Sequence, residues 1–418
     1  MNFSAITNGI LAMALLGCLV SCSDDDDNNV IFAVNANDMG FSGEGLSLQF
    51  GTSDNANVLA EAVIGKDGQV ALEMDINQYA NKTVWFCIPG VVKYFHQITP
   101  AEAANNQLTL PNKDKGSTLR TTAGSTQAGG KYIDNDWIVA LYMGVNKGGN
   151  SDTPIYWATG NLIATKTNPA NSGASQVHFH VATFEESCQE ATAGYSVCGD
   201  KNRLVQETTD GYQAIEAGEQ WDLYSYGDAS GVMLYYKDID TFCKQAKQEK
   251  GNTFLFEISG NKDCDIATAQ LGSAWRTPTG GFSGCNPKNE FAAFEDTSDE
   301  YKNIKPDAVE WSIDGSKYGC RYDYDIVCDG KVITTNTLYI PFTGYTHGTF
   351  AKGRGRTAFY WSSTADASFT QKPYVPNGEY TDPFNPNTTA FNYGYLQGEI
   401  TWYPHPRTSG QAIRPVCE

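Results

Sequence analysis

The chain is expected to be α+β: a small all-β sandwich followed by a larger domain of short strands, long loops and two helices. Three observations lead there. Apolar residues alternate with period two through residues 30–111, the spacing of half-buried strands. Helical spacing appears at only two places further on. The composition, with Gly 41, Tyr 23 and Phe 20, favours strands and loops.

In the first unit, Leu46, Leu48 and Phe50 alternate, as do Val70, Leu72 and Met74, with the turn Lys66-Asp67-Gly68 before the second set. The run Thr83 to Ile88 is continuously apolar, which predicts a strand buried on both faces. Residues 112–135 open with a polar, glycine-rich stretch lacking apolar alternation and are expected to be a linker. In residues 136–418, Ile239, Phe242, Cys243 and Ala246 fall on one helical face starting at Asp238, with Lys250-Gly251 as the stop. A shorter helix is expected from Pro287, placing Phe291 and Phe294 together. Strands are expected at residues 335–342, 357–361, 390–396 and 411–416.

Charge narrows the function. Lys plus Arg is 29 against 48 for Asp plus Glu, a net −19, so no basic face is available for nucleic acid. The N-terminus supplies an address. Residues 1–21 hold an apolar run from Ile10 to Val20 of signal-peptide length, ending Leu19-Val20-Ser21-Cys22. This resembles a bacterial lipoprotein signal, which implies acylation of Cys22 by palmitate-like chains and a membrane anchor without a spanning helix. Residues 22–29 follow as an acidic tether, with Asp24 to Asp27 consecutive. A serine and an acidic run behind the acylated cysteine resemble the export signal of Bacteroidota lipoproteins. That resemblance implies an outer-membrane position facing the cell exterior.

Cysteines agree with export. Past Cys22 and the isolated Cys87, eight remain: Cys188, Cys198, Cys243, Cys264, Cys285, Cys320, Cys328 and Cys417. An even set in an exported chain reads as up to four disulfides of open connectivity. No Cys-x2-Cys pair occurs, which disfavours zinc. Cys87 is expected to be buried in a strand as a small apolar residue.

Six motifs recur in order through the large domain: Tyr156 to Leu162, Trp221 to Tyr224, Ala274 to Thr279, Leu338 to Gly344, Tyr360 to Thr364 and Gly410 to Val416. Together they resemble the Fibrobacter succinogenes major paralogous domain, whose fold is similar to C-type lectins and to the formylglycine-generating sulfatase-modifying domain. The resemblance implies a C-type-lectin-like large domain. It also implies that the strand carrying Cys417 is stapled to the helix carrying Cys243. Trp275 and Trp361 are expected as core aromatics, and Arg276 and Arg414 as buried forks tying loops through carbonyls or carboxylates. The calcium- and sugar-binding motifs of many C-type lectins are absent, so calcium-dependent sugar binding does not carry over.

Catalytic chemistry finds little footing. His178 and His180 share a strand face but lack an evident third ligand. Gly353-Arg354-Gly355-Arg356 lacks a phosphate loop's Lys-Ser/Thr and is expected as a turn with solvated arginines. Asp323-Tyr324-Asp325 is expected in a loop with too few ligands for calcium. No catalytic residue, metal or cofactor is expected.

Aromatics remain as binding candidates. Trp402, Tyr403, His405 and Arg407 sit in a proline-stiffened segment, and Tyr374 and Tyr380 precede it. These six are the expected ligand contacts. The sequence thus predicts a surface lipoprotein that binds a glycan or a surface protein without turnover. One alternative is a fimbrial accessory or tip subunit assembling with fimbrial subunits through its N-terminal β-domain. A second is an enzyme acting on polysaccharide.

Overall fold

The computed structural model describes residues 31–105, 108–121, 133–146, 154–167, 176–192, 205–207, 211–214, 220–231, 233–236, 258–280, 290–291, 307–347, 350–365, 389–396, 399–401, 404–406 and 409–418. In chain order the first strands are β1 (Ile31–Asn35), β2 (Ser47–Thr52), β3 (Ala60–Val63), β4 (Gln69–Glu73), β5 (Thr83–Ile88), β6 (Val92–Gln97), β7 (Thr118–Thr121), β8 (Ile133–Asn146), β9 (Pro154–Ala158), β10 (Leu162–Thr167) and β11 (Gln176–Val181). The helices among the described residues are short: α1 (Pro100–Asn105), α2 (Phe184–Thr192) and α3 (Ile266–Leu271).

The α+β expectation is overturned: the molecule is mostly antiparallel β-sheet. Turn chemistry is the reason. Asp314-Gly315 and Asp329-Gly330 all have positive φ, between 49° and 79°, the conformation that two-residue hairpin turns require. They fold Asp307–Ile313, Ser316–Cys328 and Lys331–Pro341 into one three-stranded sheet. Asp323-Tyr324-Asp325, expected in a loop, lies inside its central strand. There Asp323 and Asp325 accept the hydroxyls of Thr337 and Thr335 across the ladder, at 2.8 and 2.6 Å. The helix expected from Asp238 lies outside the described residues. Of the one expected from Pro287, only Glu290 and Phe291 are described, both buried.

The largest sheet has nine strands, in the order Trp275–Arg276, Val416–Cys417, β9, β8, β6, β5, β2, β3, with β7 paired to β8 off this path. It runs straight across the stretch expected to be a linker. β6 pairs with β8 from Val92↔Leu141 to Phe95↔Ile138, and the described residues of the stretch form a 3-10 turn, Lys113–Lys115, β7 and the start of β8. β5 is buried on both faces. Val84, Phe86 and Ile88 enter the main core, while Trp85 and Cys87 join a second one with Phe95, Trp275 and Cys417.

Two hairpins end in the same device. After β5–β6, Glu102 accepts the Thr99 amide at 2.8 Å, and the Glu102 amide donates to the Thr99 hydroxyl at 3.2 Å. After β10–β11, Thr183 and Glu186 repeat this exchange at 2.9 and 3.2 Å. Each is a reciprocal capping box that starts a helix. Each glutamate also meets a fully buried histidine ring three residues before its threonine: His96 with Glu102 at 2.9 Å, and His180 with Glu186 at 3.0 Å. Phe95 to Glu102 and Phe179 to Glu186 share the spacing Phe-His-x-x-Thr-x-x-Glu.

No disulfide forms among the described residues. Cys188 and Cys328 are half-buried thiols. Cys264 and Cys320 are buried, and Cys198, Cys243 and Cys285 lie outside the described residues. Cys417 departs from the staple implied for it. It is a thiol sealed against Tyr156, Cys87 and Trp275, and burial pushes its pKa up to about 12.

Candidate functional site

A cleft of about 290 Å³ opens where the Lys113–Lys115 turn, the end of β9, the start of α2 and the strand Lys331–Pro341 converge. Its walls follow from local rules. Thr335, Thr337 and Tyr339 occupy alternate positions of one strand and so share a face. The Asn112 side chain accepts the Asp114 amide at 2.9 Å and starts the turn, and Gly116 ends it at φ 68°, where a side chain would be strained. Thr159 accepts the Ser117 amide at 2.9 Å. The capping box sets Phe184 at the first helical position, and Ser187 follows on the same face one turn later.

Charge and polarity in the cleft are specific. The Lys113 side chain is fully buried, and its ammonium donates to Asp114 at 2.6 Å and to the Thr335 carbonyl at 3.1 Å. An ammonium carries three donors, so one remains beyond these two bonds. Ser187 is 1% exposed and its hydroxyl has no hydrogen-bond partner among the described residues, an uncommon state for a buried polar group. Phe184, 38% exposed, meets Tyr339 edge to face with ring centroids 5.0 Å apart, and Trp311 backs both at 5.7 and 4.9 Å. Burial pushes the Tyr339 phenol above its ordinary pKa, so it stays a neutral donor and acceptor.

Behind the cleft lies a sealed polar network. Arg414, fully buried, donates to the carbonyls of Ala158 at 3.1 Å and Tyr339 at 2.6 Å. It thereby fixes the backbone beside Thr159 to the aromatic wall. Arg354 grips Asp222 through two bonds of 2.9 Å and donates to the Glu190 carbonyl at 2.7 Å. This corrects the expectation that the Gly353–Arg356 arginines are solvated: Arg354 points inward, and only Arg356 is exposed. Asn161 donates to Glu190 at 2.8 Å. Burial, and then the Asp222 charge, hold the Glu190 carboxyl well above its ordinary pKa.

The sequence-derived contacts fall elsewhere. Trp402, Tyr403, Arg407, Tyr374 and Tyr380 lie outside the described residues. His405 is placed in a short strand opposite Ala390. Trp275 is buried against Phe95, centroids 4.7 Å apart. Trp361 donates its indole N–H to the Tyr224 carbonyl at 2.8 Å. Arg276 holds Glu290 through two bonds of 2.7 and 2.6 Å and also reaches Glu418 at 3.3 Å. Sequence reasoning missed Lys113 and Asp114 by assigning them to a linker, although Asn-Lys-Asp-Lys-Gly is a turn signature. It missed Phe184 and Ser187 too, although Thr-x-x-Glu marked the helix start.

Asp114 is the one carboxylate that lines the cleft among the described residues, and Lys113 engages it. A separate cluster of His96, Glu102 and Asp136 has the ligand types of a metal site. However, both ring nitrogens of His96 already face acceptors, the Asp136 carbonyl and Glu102, and Arg120 occupies Asp136 at 3.0 Å. That cluster ties α1 to the sheet. Comparison with family models, curated proteins and solved structures yields no match to this chain.

Proposed function

We propose that this chain is an outer-membrane lipoprotein, acylated at Cys22 and displayed outward on its acidic tether, that binds a glycan or surface-protein ligand without turnover. The observation that carries the binding half is the cleft, where an exposed aromatic wall stands beside a buried cation and a partnerless buried hydroxyl. Ligand pockets combine an apolar wall with a few placed polar groups in this way. The Cys22 signal and the aspartate run support the address. The test is an array of glycans and surface proteins probed with the full mature chain, with and without EDTA, beside Tyr339→Ala. Binding that survives EDTA and falls with the variant supports the reading, whereas binding indifferent to the variant removes the cleft from it.

The fimbrial alternative has one observation in its favour. β3 is an edge strand that pairs only with β2 among the described residues. Val63 on it and Val58 and Leu59 just before it are 66%, 44% and 48% exposed, the kind of edge that accepts an added strand. Co-purification of the chain with sheared fimbriae, lost on Val63→Lys, would favour this version.

A further inference from the structure

We propose that the cleft recognises one neutral pyranose residue of a glycan, with the exposed Asp114 carboxylate accepting two adjacent hydroxyls and the Phe184–Tyr339 wall taking the ring face. This rests on the binding reading above and specifies its ligand.

Size is the first argument. A space of about 290 Å³ lies at the lower end of ligand pockets, roughly 300–1,000 Å³. It admits a sugar residue and is too small for a folded helix or a lipid chain. Charge is the second. Lys113, Lys115 and Arg321 stand against Asp114, Asp323 and Asp325 around the cleft, so the local charge balances and the chain as a whole is −19. An anion gains nothing from that field. The exposed Asp114 carboxylate, by contrast, has two acceptor oxygens, and a vicinal diol can donate to both. Ser187 supplies the third argument. A ligand hydroxyl completes a buried group that otherwise lacks a partner, and a hydroxyl-poor ligand leaves it unpaired. Finally, Phe184 keeps an exposed face, braced by Tyr339 and Trp311, on which the C–H face of a pyranose can stack.

The experiment uses the full mature chain and immobilised glycans ending in neutral hexoses, in uronic acids or in sialic acids, at low and high salt with EDTA present. Asp114→Asn and Phe184→Ala are tested in parallel, with the thermal midpoint as a control for folding, because Asp114→Asn removes the counter-charge of the buried Lys113. The expected result is binding to a neutral-hexose class, unchanged by salt and weakened about tenfold or more by either variant, a loss of roughly 1.4 kcal/mol. Binding only to acidic glycans, weakened by salt and strengthened by Asp114→Asn, would overturn the neutral-sugar proposal while leaving the cleft as a binding site. Glycan binding untouched by both variants would overturn the proposal and the cleft together. Binding to none of these glycans would overturn the sugar class alone.

Discussion

Arg414 donates to the carbonyl of Tyr339 at 2.6 Å and to that of Ala158 at 3.1 Å, so a residue from the C-terminal segment holds two walls of the cleft in register. A planar guanidinium presents its donors in a fixed fork, which the compact point charge of an ammonium does not reproduce. Arg414→Lys is therefore expected to lower stability by several kcal/mol, since a buried charge loses fixed partners, and to weaken cleft binding. Chemical denaturation and the array assay, run on the same preparation, check both.

Tyr339→Ala removes the ring that meets Phe184 and Trp311. Because Tyr339 is only half-buried, the expected stability loss is about 1–3 kcal/mol, and the loss of ligand binding is much larger. Tyr339→Phe is expected to retain the stacking. Melting curves separate the two effects, and equal binding by Tyr339→Ala and the parent chain would remove the aromatic wall from the site.

Glu190 gives a pH prediction. Burial raises its folded pKa above that of the unfolded chain, so between those two values the folded state holds more protons. Stability then falls as pH rises through that window. Glu190→Gln, which carries no titrating group, is expected to match or exceed the parent at pH 7, and its advantage should shrink in acid. Urea titrations at a series of pH values read this directly. An advantage that grows in acid would contradict it.

Glu102 runs in the opposite sense. Burial alone would raise its pKa, but the Thr99 amide and hydroxyl and His96 outweigh it and the net shift is downward. Its stabilisation is present above the unfolded carboxylate pKa and is lost as pH falls through the folded value. Glu102→Gln should remove that acid-side component and loosen α1. Comparing hydrogen exchange of residues 99–105 in the two chains at pH 7 and in acid measures it.

Breaking the buried pair behind the cleft is expected to be costly. Arg354 is 8% and Asp222 0% exposed in their side chains. Arg354→Met leaves the carboxylate uncompensated at about 3–5 kcal/mol. The double variant Arg354→Met with Asp222→Leu should recover much of that loss, as denaturant midpoints would show.

Strand patterning was readable where apolar residues alternate, as in Leu48 and Phe50 or Val70 and Leu72, all buried in the structure. β5 was readable as a continuous run because two cores meet on it. The β-rich character of the second half was missed because its two Asp-Gly turns and the polar strand faces of Asp323, Asp325, Thr335 and Thr337 resemble loop composition. The repeated Phe-His-x-x-Thr-x-x-Glu units could have been found by comparing the chain with itself. The cleft was not readable. It joins residues 113–116, 159, 184–187 and 335–339, and no local pattern encodes a convergence between segments so far apart in the chain.

The most direct test of the account is hydrogen exchange on the full mature chain with and without a saturating glycan from the array. New protection should concentrate at residues 113–116, 184–188 and 335–339, the segments that line the cleft. Protection confined to residues 391–407, around Trp402 and Tyr403, would place the ligand elsewhere and contradict the assignment of the cleft.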